Sequence, residues 1–434
     1  ASLCAECGAA AEVLKPVPDD PDLLERTVGG ALGGGADLVI VIAGSSAGSA
    51  DFTPSALERL GEILVHGVAM MPGKPTLLGA AAGRPVAGIP GYPVSALVAF
   101  REFVAPLLYM MQGVPPPEER RVAAVAGRKI PSKLGLEEHV RVIAGEVGGR
   151  VVAVPVAGGA GVISSVARAD GFVRIPQEAG GLSEGEETTV ELLASPGEVG
   201  RRLLFIGSHD LTIDLLAGMM LEKTSGRVRI SSANVGSLGG LTAINRRIAH
   251  VAGCHLLDEE TGGYNVTYVR RHVPDVPAAL LTLVRRVQGF MTAPGNPKGI
   301  RAVGDLAKPG VRFVNRQSGS GTRVLLDYEL KRAGIDPACV AGCGAEEYTH
   351  VNVAVAVASG AADAGLGIHA AAKALSLDFV PLTMERFDLV IPSDLLEDER
   401  IKIMIEIIRS RGFRERVLAM GGYDVSGTGS FVPL

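Results

Sequence analysis

Twice along this chain the hydrophobic pattern changes its period, and that switch limits the fold more than any other feature. Up to about residue 112, short apolar runs alternate with helix-like stretches: the buried run Asp37–Ala43, a helix from Pro54, strands around Leu64–Ala69 and Pro85–Ile89, and a helix over Val94–Met111. From Arg120 to Leu193 only short alternating runs remain, parted by Gly-rich turns, and from Arg201 the strand and helix alternation returns. Strands alternating with helices predict βαβ units and a mostly parallel sheet, because parallel neighbours need a long crossover. Short strands parted by turns predict a barrel or sandwich. The expectation is an α/β protein in three units. The first, 1–114, ends in the stiff Gly113-Val114-Pro115-Pro116-Pro117. The second, 115–195, is a small β-barrel closed by the linker Ala194-Ser195-Pro196-Gly197, and the third is 196–434. A length of 434 residues fits three domains at about 150 each. An opening helix over 2–12 is also expected.

Composition excludes several function classes. With 42 basic and 47 acidic residues the net charge is −5, which gives no general electrostatic reason to bind nucleic acid or an anionic membrane. The purest apolar run, Leu38–Ala43, is strand-sized, and Cys4, Glu6 and Cys7 break up the opening, so neither a membrane span nor a signal peptide is expected. Five cysteines are too few and too odd in number for a disulfide framework, which suits a reducing, cytoplasmic setting. The CxxC pair Cys4/Cys7 and the CxxxC pair Cys339/Cys343 read as buried or helix-face thiols rather than as a zinc site. His209, His250, His255, His350 and His369 show no shared metal spacing, with His209 and His350 read as polar turn residues near a cleft. Arg201-Arg202, Arg246-Arg247 and Arg285-Arg286 read as solvated helix or loop ends.

Three turns in the first unit carry chemistry. The strand 37–43 runs into Gly44-Ser45-Ser46-Ala47-Gly48-Ser49-Ala50-Asp51, small residues that leave room for a ligand and expose N–H groups. Met71-Pro72-Gly73-Lys74-Pro75 offers one cation on a rigid turn. Pro90-Gly91-Tyr92-Pro93-Val94-Ser95 is a doubly proline-fixed entry to a helix. In this order they resemble the C-terminal half of the molybdopterin molybdenumtransferases, the MoeA and gephyrin E-domain family. Ser164-Ser165-Val166-Ala167-Arg168-Ala169-Asp170-Gly171 and Ile175-Pro176 are similar to that family's C-terminal barrel. The resemblance implies a pterin-binding domain with a truncated parallel sheet. It implies that Ser46, Gly48, Lys74, Pro90, Gly91, Pro93 and Ser95 hold molybdopterin or its adenylylated form. Asp51 is then the catalytic carboxylate, for Mg²⁺ or for positioning molybdate, or else a helix N-cap. Ala43 and Met71 depart from the family's Gly and Lys, and its earlier Thr-Gly-Asp-Glu strand and two N-terminal domains are not in this sequence. The chain is therefore expected to be a truncated form without turnover on its own, and the full-length protein a homodimer.

In the third unit four hydroxyl-rich turns each enter a helix: Ser208-His209-Asp210, Ser231 to Ser237, Asn315 to Arg323, and Tyr348-Thr349-His350. Helix starts of this kind favour oxyanions, through N–H groups and the helix dipole. The layout resembles the type II periplasmic-binding-protein fold, in the variant related to molybdate and tungstate receptors and to LysR effector domains. It implies two lobes, about 198–287 with 386–434 and 288–385, joined near Gln288–Pro294 and Val380–Phe387. The oxyanion residues are expected to be Ser208, His209, Ser237, Ser318, Gly319, Ser320, Gly321, Thr322, Arg323 and Thr349. The resemblances together imply molybdenum cofactor biosynthesis: insertion of molybdate into molybdopterin, with a fused module that senses or supplies molybdate or tungstate. Other proteins of that synthesis are then the expected partners. The alternative is a non-catalytic small-ligand sensor on a remnant pterin domain.

Overall fold

The computed structural model describes residues 1–42, 52–156, 161–193, 195–258 and 261–434. They form two compact units, Ala1–Ala144 with Ala153–Pro196, and Gly197–Leu434 with Gly145–Val152.

In the first unit a four-stranded sheet runs in the order Val39–Ile42, Arg84–Ile89, Leu77–Ala81, Gly61–His66. Its first pair is parallel, as expected, and the other two are antiparallel, so the sheet is mixed. For the pair Leu77–Ala81 and Arg84–Ile89 the reason is local. Ala82 and Gly83 both take positive φ (51° and 73°), and such a two-residue turn matches the twist of an antiparallel hairpin and leaves no room for a crossover helix. The opening helix is Ser2–Glu6 rather than 2–12; Pro16 and Pro18 further on remove donors and favour extended backbone. The helix Pro21–Gly33 is capped by the Asp20 carboxylate, which accepts from the N–H groups of Asp22 and Leu23.

The helix Pro93–Met111, with one π turn over Phe100–Val104, packs Ala99, Phe100, Val104 and Leu108 against Ala87, Ile89, Cys4 and Cys7. Its length and hydropathy would suffice to cross a membrane, but the same apolar face builds this core. Five strands then close a barrel: Gly171–Ile175, Glu187–Leu192, Arg121–Ala126, Arg150–Pro155 and Glu137–Val147, the last pairing back onto the first. Closure leaves no free sheet edge, and Val142, Val152, Val173 and Val190 are buried.

The second unit hangs on two strands of 15 residues each, Ala278–Thr292 and Asp378–Pro392, paired antiparallel along nearly all their length. At one end they carry a first half. Ala252–Cys254 pairs with the second long strand, and Tyr423–Asp424 and Phe431–Val432 pair with the first. A parallel pair, Arg202–Gly207 and Arg229–Asn234, sits beside them, joined through the helix Leu211–Thr224. At the other end Ala364–Ile368 extends the sheet into Phe313–Arg316 and Glu346–Glu347. Two apolar clusters support these halves, one around Phe205, Leu216, Phe387 and Phe413 that also takes in Val314, Val353 and Ile368, the other around Phe290, Phe313, Leu326 and Leu330. The register slips between Gln288 and Gly289, where Leu382 is unpaired and Pro381, which has no N–H to give, stands opposite Gly289.

Candidate functional site

In the first unit the parallel strands end level, with Ile42 opposite Ile89, so both chains leave the same edge of the sheet. This is where open α/β sheets hold ligands. Ser46, Gly48 and Asp51, and with Asp51 the expected Mg²⁺ site, lie outside the described residues. The second turn is firmly built: the Thr76 hydroxyl donates to the Gly73 carbonyl at 2.7 Å, and the Val68 N–H to the Lys74 carbonyl at 2.9 Å. Lys74 itself is exposed. A Cβ placed on Gly73 would lie 3.8 Å from the Ser95 carbonyl oxygen, so the second and third turns adjoin. Pro90 and Ser95 are buried there, and Gly91 and Pro93 are exposed.

Glu102, Glu137 and His139 bring their ligand atoms within 4.8 Å of one another, a spacing that could suit a metal ion. Arg174 already stands among them. It donates to Glu102 at 3.0 and 3.1 Å, to Glu137 at 3.0 Å and to Glu191 at 3.3 Å. A guanidinium supplies the positive charge these carboxylates need, so the cluster is an ion-pair network.

In the second unit the turns of the two halves meet. A Cβ on Gly236 would lie 3.0 Å from the Gly319 carbonyl oxygen, and one on Gly321 would lie 2.4 Å from His255 Nδ1. The Ser208 and Ser237 hydroxyls share a hydrogen bond of 2.8 Å, and Ser237 Oγ also accepts from the His255 N–H at 3.2 Å. Thr322 Oγ1 accepts from Gln288 Nε2 at 3.0 Å. The structure thus brings Ser208, Ser237, Gly319, Gly321 and Thr322 together.

Other expected residues are engaged elsewhere. Ser320 caps the Arg323 N–H at 3.2 Å and Thr349 the Asn352 N–H at 3.1 Å. His209 faces Asp214 at 2.9 Å, and Ser318 is exposed. Arg323 has its guanidinium tied to Asp327 at 2.9 Å and Glu346 at 3.3 Å in partly exposed ion pairs. One turn into a helix, its side chain meets the i+4 carboxylate before it meets the cleft.

Beneath the hydroxyls lies a charged network that sequence reasoning missed. Arg286 was expected in solvent, yet it is 0% exposed and stands directly opposite Glu385 in the middle of the long strands. Strand alternation explains it, since Arg285 faces out and its neighbour must face in. Arg202, also expected in solvent, is buried in a strand whose residues are all buried. Arg286 donates to both Glu385 and Asp210. Tyr423 donates its hydroxyl to Asp210 at 3.1 Å, and Gln288 Nε2 donates to Glu385 at 2.8 Å. His255 Nδ1 lies 3.1 Å from the other Glu385 oxygen. Burial would raise the Glu385 pKa, but Arg286, then His255 and Gln288, outweigh it and hold it at about 2. Asp210 is held below its ordinary value by Arg286 and Thr212 against the same burial.

Burial lowers the pKa of His255 and His350, which keeps both neutral, and lowers Arg316 to about 10. His350, expected as a polar turn residue, is buried at the first position of its helix. Arg286 Nη2, Gln288 Oε1, Arg316 Nη1 and both ring nitrogens of His350 have no hydrogen-bond partner among the described residues. The arrangement can therefore offer charged donors, hydroxyls and an acceptor to a small anion.

Comparison with known proteins divides the chain along the same lines. Residues 1–109 match the model of a probable molybdopterin binding domain, 123–193 that of the MoeA C-terminal region (domain IV), and 218–409 that of a PBP superfamily domain. The uncharacterized protein YvgK of Bacillus subtilis is 35% identical over 233 residues, 54% of this chain and 74% of that one. A molybdopterin molybdenumtransferase of Haemophilus influenzae is 35% identical over 160 residues, 36% of this chain and 39% of its own. Among solved structures, the molybdopterin biosynthesis MoeA protein of Pyrococcus horikosii is 37% identical over 41% of this chain and 42% of its own, with a TM-score of 0.34. The chain thus spans about two fifths of the molybdenumtransferase it matches.

Proposed function

Because this chain belongs to the family of the YvgK protein and joins a MoeA-type molybdopterin-biosynthesis region to a PBP-like domain, we propose that it works in molybdenum cofactor biosynthesis. In this reading the first unit holds molybdopterin, or its adenylylated form, for the insertion of molybdate, and the second unit holds a small oxyanion. The observation that carries the first half is the adjoining pair of turns, 72–75 and 90–95, with Lys74 exposed beside the carboxyl ends of the strands. Lys74 would place a point charge on the phosphate, and the proline-fixed turn at 90–95 would seat the ring system without having to be ordered on binding. The bound pterin would supply the dithiolene sulfurs. Asp51 is proposed to position molybdate or Mg²⁺. The five free thiols support a reducing, cytoplasmic setting.

The test is a calorimetric titration of the full chain with molybdopterin. Lys74→Ala is expected to weaken binding by about 1–3 kcal/mol, the range for a charge-assisted hydrogen bond. Affinity that does not change would overturn the assignment.

For the second unit the facing turns with Ser208, Ser237 and Thr322 support an oxyanion, molybdate or tungstate being the expectation from sequence. A rise in the melting temperature of the full chain with at least one of molybdate, tungstate, sulfate or phosphate supports it. A response to carboxylate or aromatic metabolites alone would put an effector-binding module in its place.

A further inference from the structure

We propose that the cleft of the second unit selects a tetrahedral oxyanion that carries its own proton, of the hydrogenphosphate class, and that Gln288 Oε1 is the acceptor that reads that proton. This rests on the oxyanion reading and narrows it.

Gln288 is 0% exposed and its amide can stand only one way round. The nitrogen donates both its protons, one to Thr322 Oγ1 at 3.0 Å and one to Glu385 Oε1 at 2.8 Å. A flipped amide would set its oxygen against the Glu385 carboxylate, which Arg286 keeps ionised. The carbonyl oxygen must therefore point away from both, and it has no partner among the described residues. Buried acceptors are nearly always satisfied, so this one calls for a donor. Thr322, having accepted from Gln288, has its own hydroxyl proton to give. The backbone is arranged around the same spot: the register slips at Gln288/Gly289, and a Cβ on Gly289 would fall 2.2 Å from the Val380 carbonyl oxygen. Bulges of this kind re-aim a side chain next to a site.

Donors stand in the same network, beside the Glu385 carboxylate. Arg286 shares Glu385 Oε1 with Gln288 and leaves Nη2 without a partner among the described residues, as Arg316 does with Nη1. His350, whose ring feels the charges of both arginines, is neutral and offers one donor and one acceptor. A ligand here meets several donors and at least one obligatory acceptor. The charges also balance, since Arg286 and Arg316 stand against Asp210 and Glu385. Near neutral pH inorganic phosphate and arsenate keep at least one proton, whereas sulfate, molybdate and tungstate keep none. A fully ionised ligand would press lone pairs on Gln288 Oε1. An unpaired buried acceptor of this kind lowers affinity by about five- to a hundredfold.

The experiment is calorimetric titration of the full chain near neutral pH with phosphate, arsenate, sulfate, molybdate and tungstate, repeated with Gln288→Met. Phosphate and arsenate are expected to bind at least about fivefold tighter than the three ionised anions, with the ratio falling toward one in Gln288→Met. Sulfate, molybdate or tungstate binding as tightly as phosphate would overturn this proposal and leave the oxyanion reading standing. If none of the five binds, both fall. Circular dichroism checks the variant, and if Gln288→Met does not fold, the ratios in the unaltered chain decide.

Discussion

At Arg286 a guanidinium with no exposed surface is held between Glu385, across the strand ladder, and Asp210, at the head of a helix. Stripping water from three charges is expensive, and their attraction offsets it only while every partner is present. Arg286→Met is expected to cost about 3–5 kcal/mol in urea unfolding, because it leaves two buried carboxylates uncompensated. A loss below about 1 kcal/mol would mean that water reaches them. Little of this was legible beforehand. The hydroxyls were, since a Ser or Thr before an apolar run signals a helix start whatever the rest of the fold does. Arg286 and Glu385, by contrast, meet only because two strands far apart in sequence share a register, and register is written in no local window. Strand alternation could have flagged Arg286 as facing opposite to Arg285.

The helices and short strands of the first unit were largely readable, and its mixed sheet was not. One of its two antiparallel pairs follows from a single turn, Ala82-Gly83, whose φ values no composition argument supplies. The 15-residue strands of the second unit were foreseen only as crossings near 288–294 and 380–387. Their middle carries Arg, Gln and Glu, residues that break the apolar run by which a strand is recognised. Their bulge depends on a close approach: at Gly289 a methyl group would meet backbone at 2.2 Å, and backbone gives way only if the strand shifts. Gly289→Ala is expected to destabilise by about 1–3 kcal/mol, read from the denaturation midpoint. An unchanged midpoint would show the ladder to be slack there.

For the whole molecule the buried groups His250 and Glu385 give the same sign, while Asp388, whose pKa burial raises, opposes them. Burial, with Arg400 beside it, lowers the His250 pKa from the ordinary 6.5 to about 4. The unfolded chain therefore takes up that proton first, and the stability tied to neutral His250 is lost as pH falls from 6.5 toward 4. Glu385, at about 2 against an ordinary 4.5, contributes stability that is present above 4.5 and is lost as pH falls through about 2. Each contribution is on the order of 3 kcal/mol by linkage. Urea midpoints should thus fall steadily from about pH 7 downward, and Glu385→Gln should flatten the lower part of that curve. A midpoint that rises on acidification would contradict the burial of both groups.

The two long strands also impose an order of events during synthesis. Phe313–Arg316 and Ala364–Ile368, with the helices between them, form a nearly continuous stretch that can gather its apolar side chains while later residues are still being made. The half built on Arg202–Gly207 has no such freedom. Its share of the first long strand pairs on one edge with residues 385–392, but its other edge is covered only when Tyr423–Asp424 and Phe431–Val432 arrive, opposite Arg286, Arg285, Leu281 and Leu280. Contacts so distant in sequence are slow to close. The earlier-made half of this unit is thus the later to finish, and until then its strand edge is open to other nascent chains.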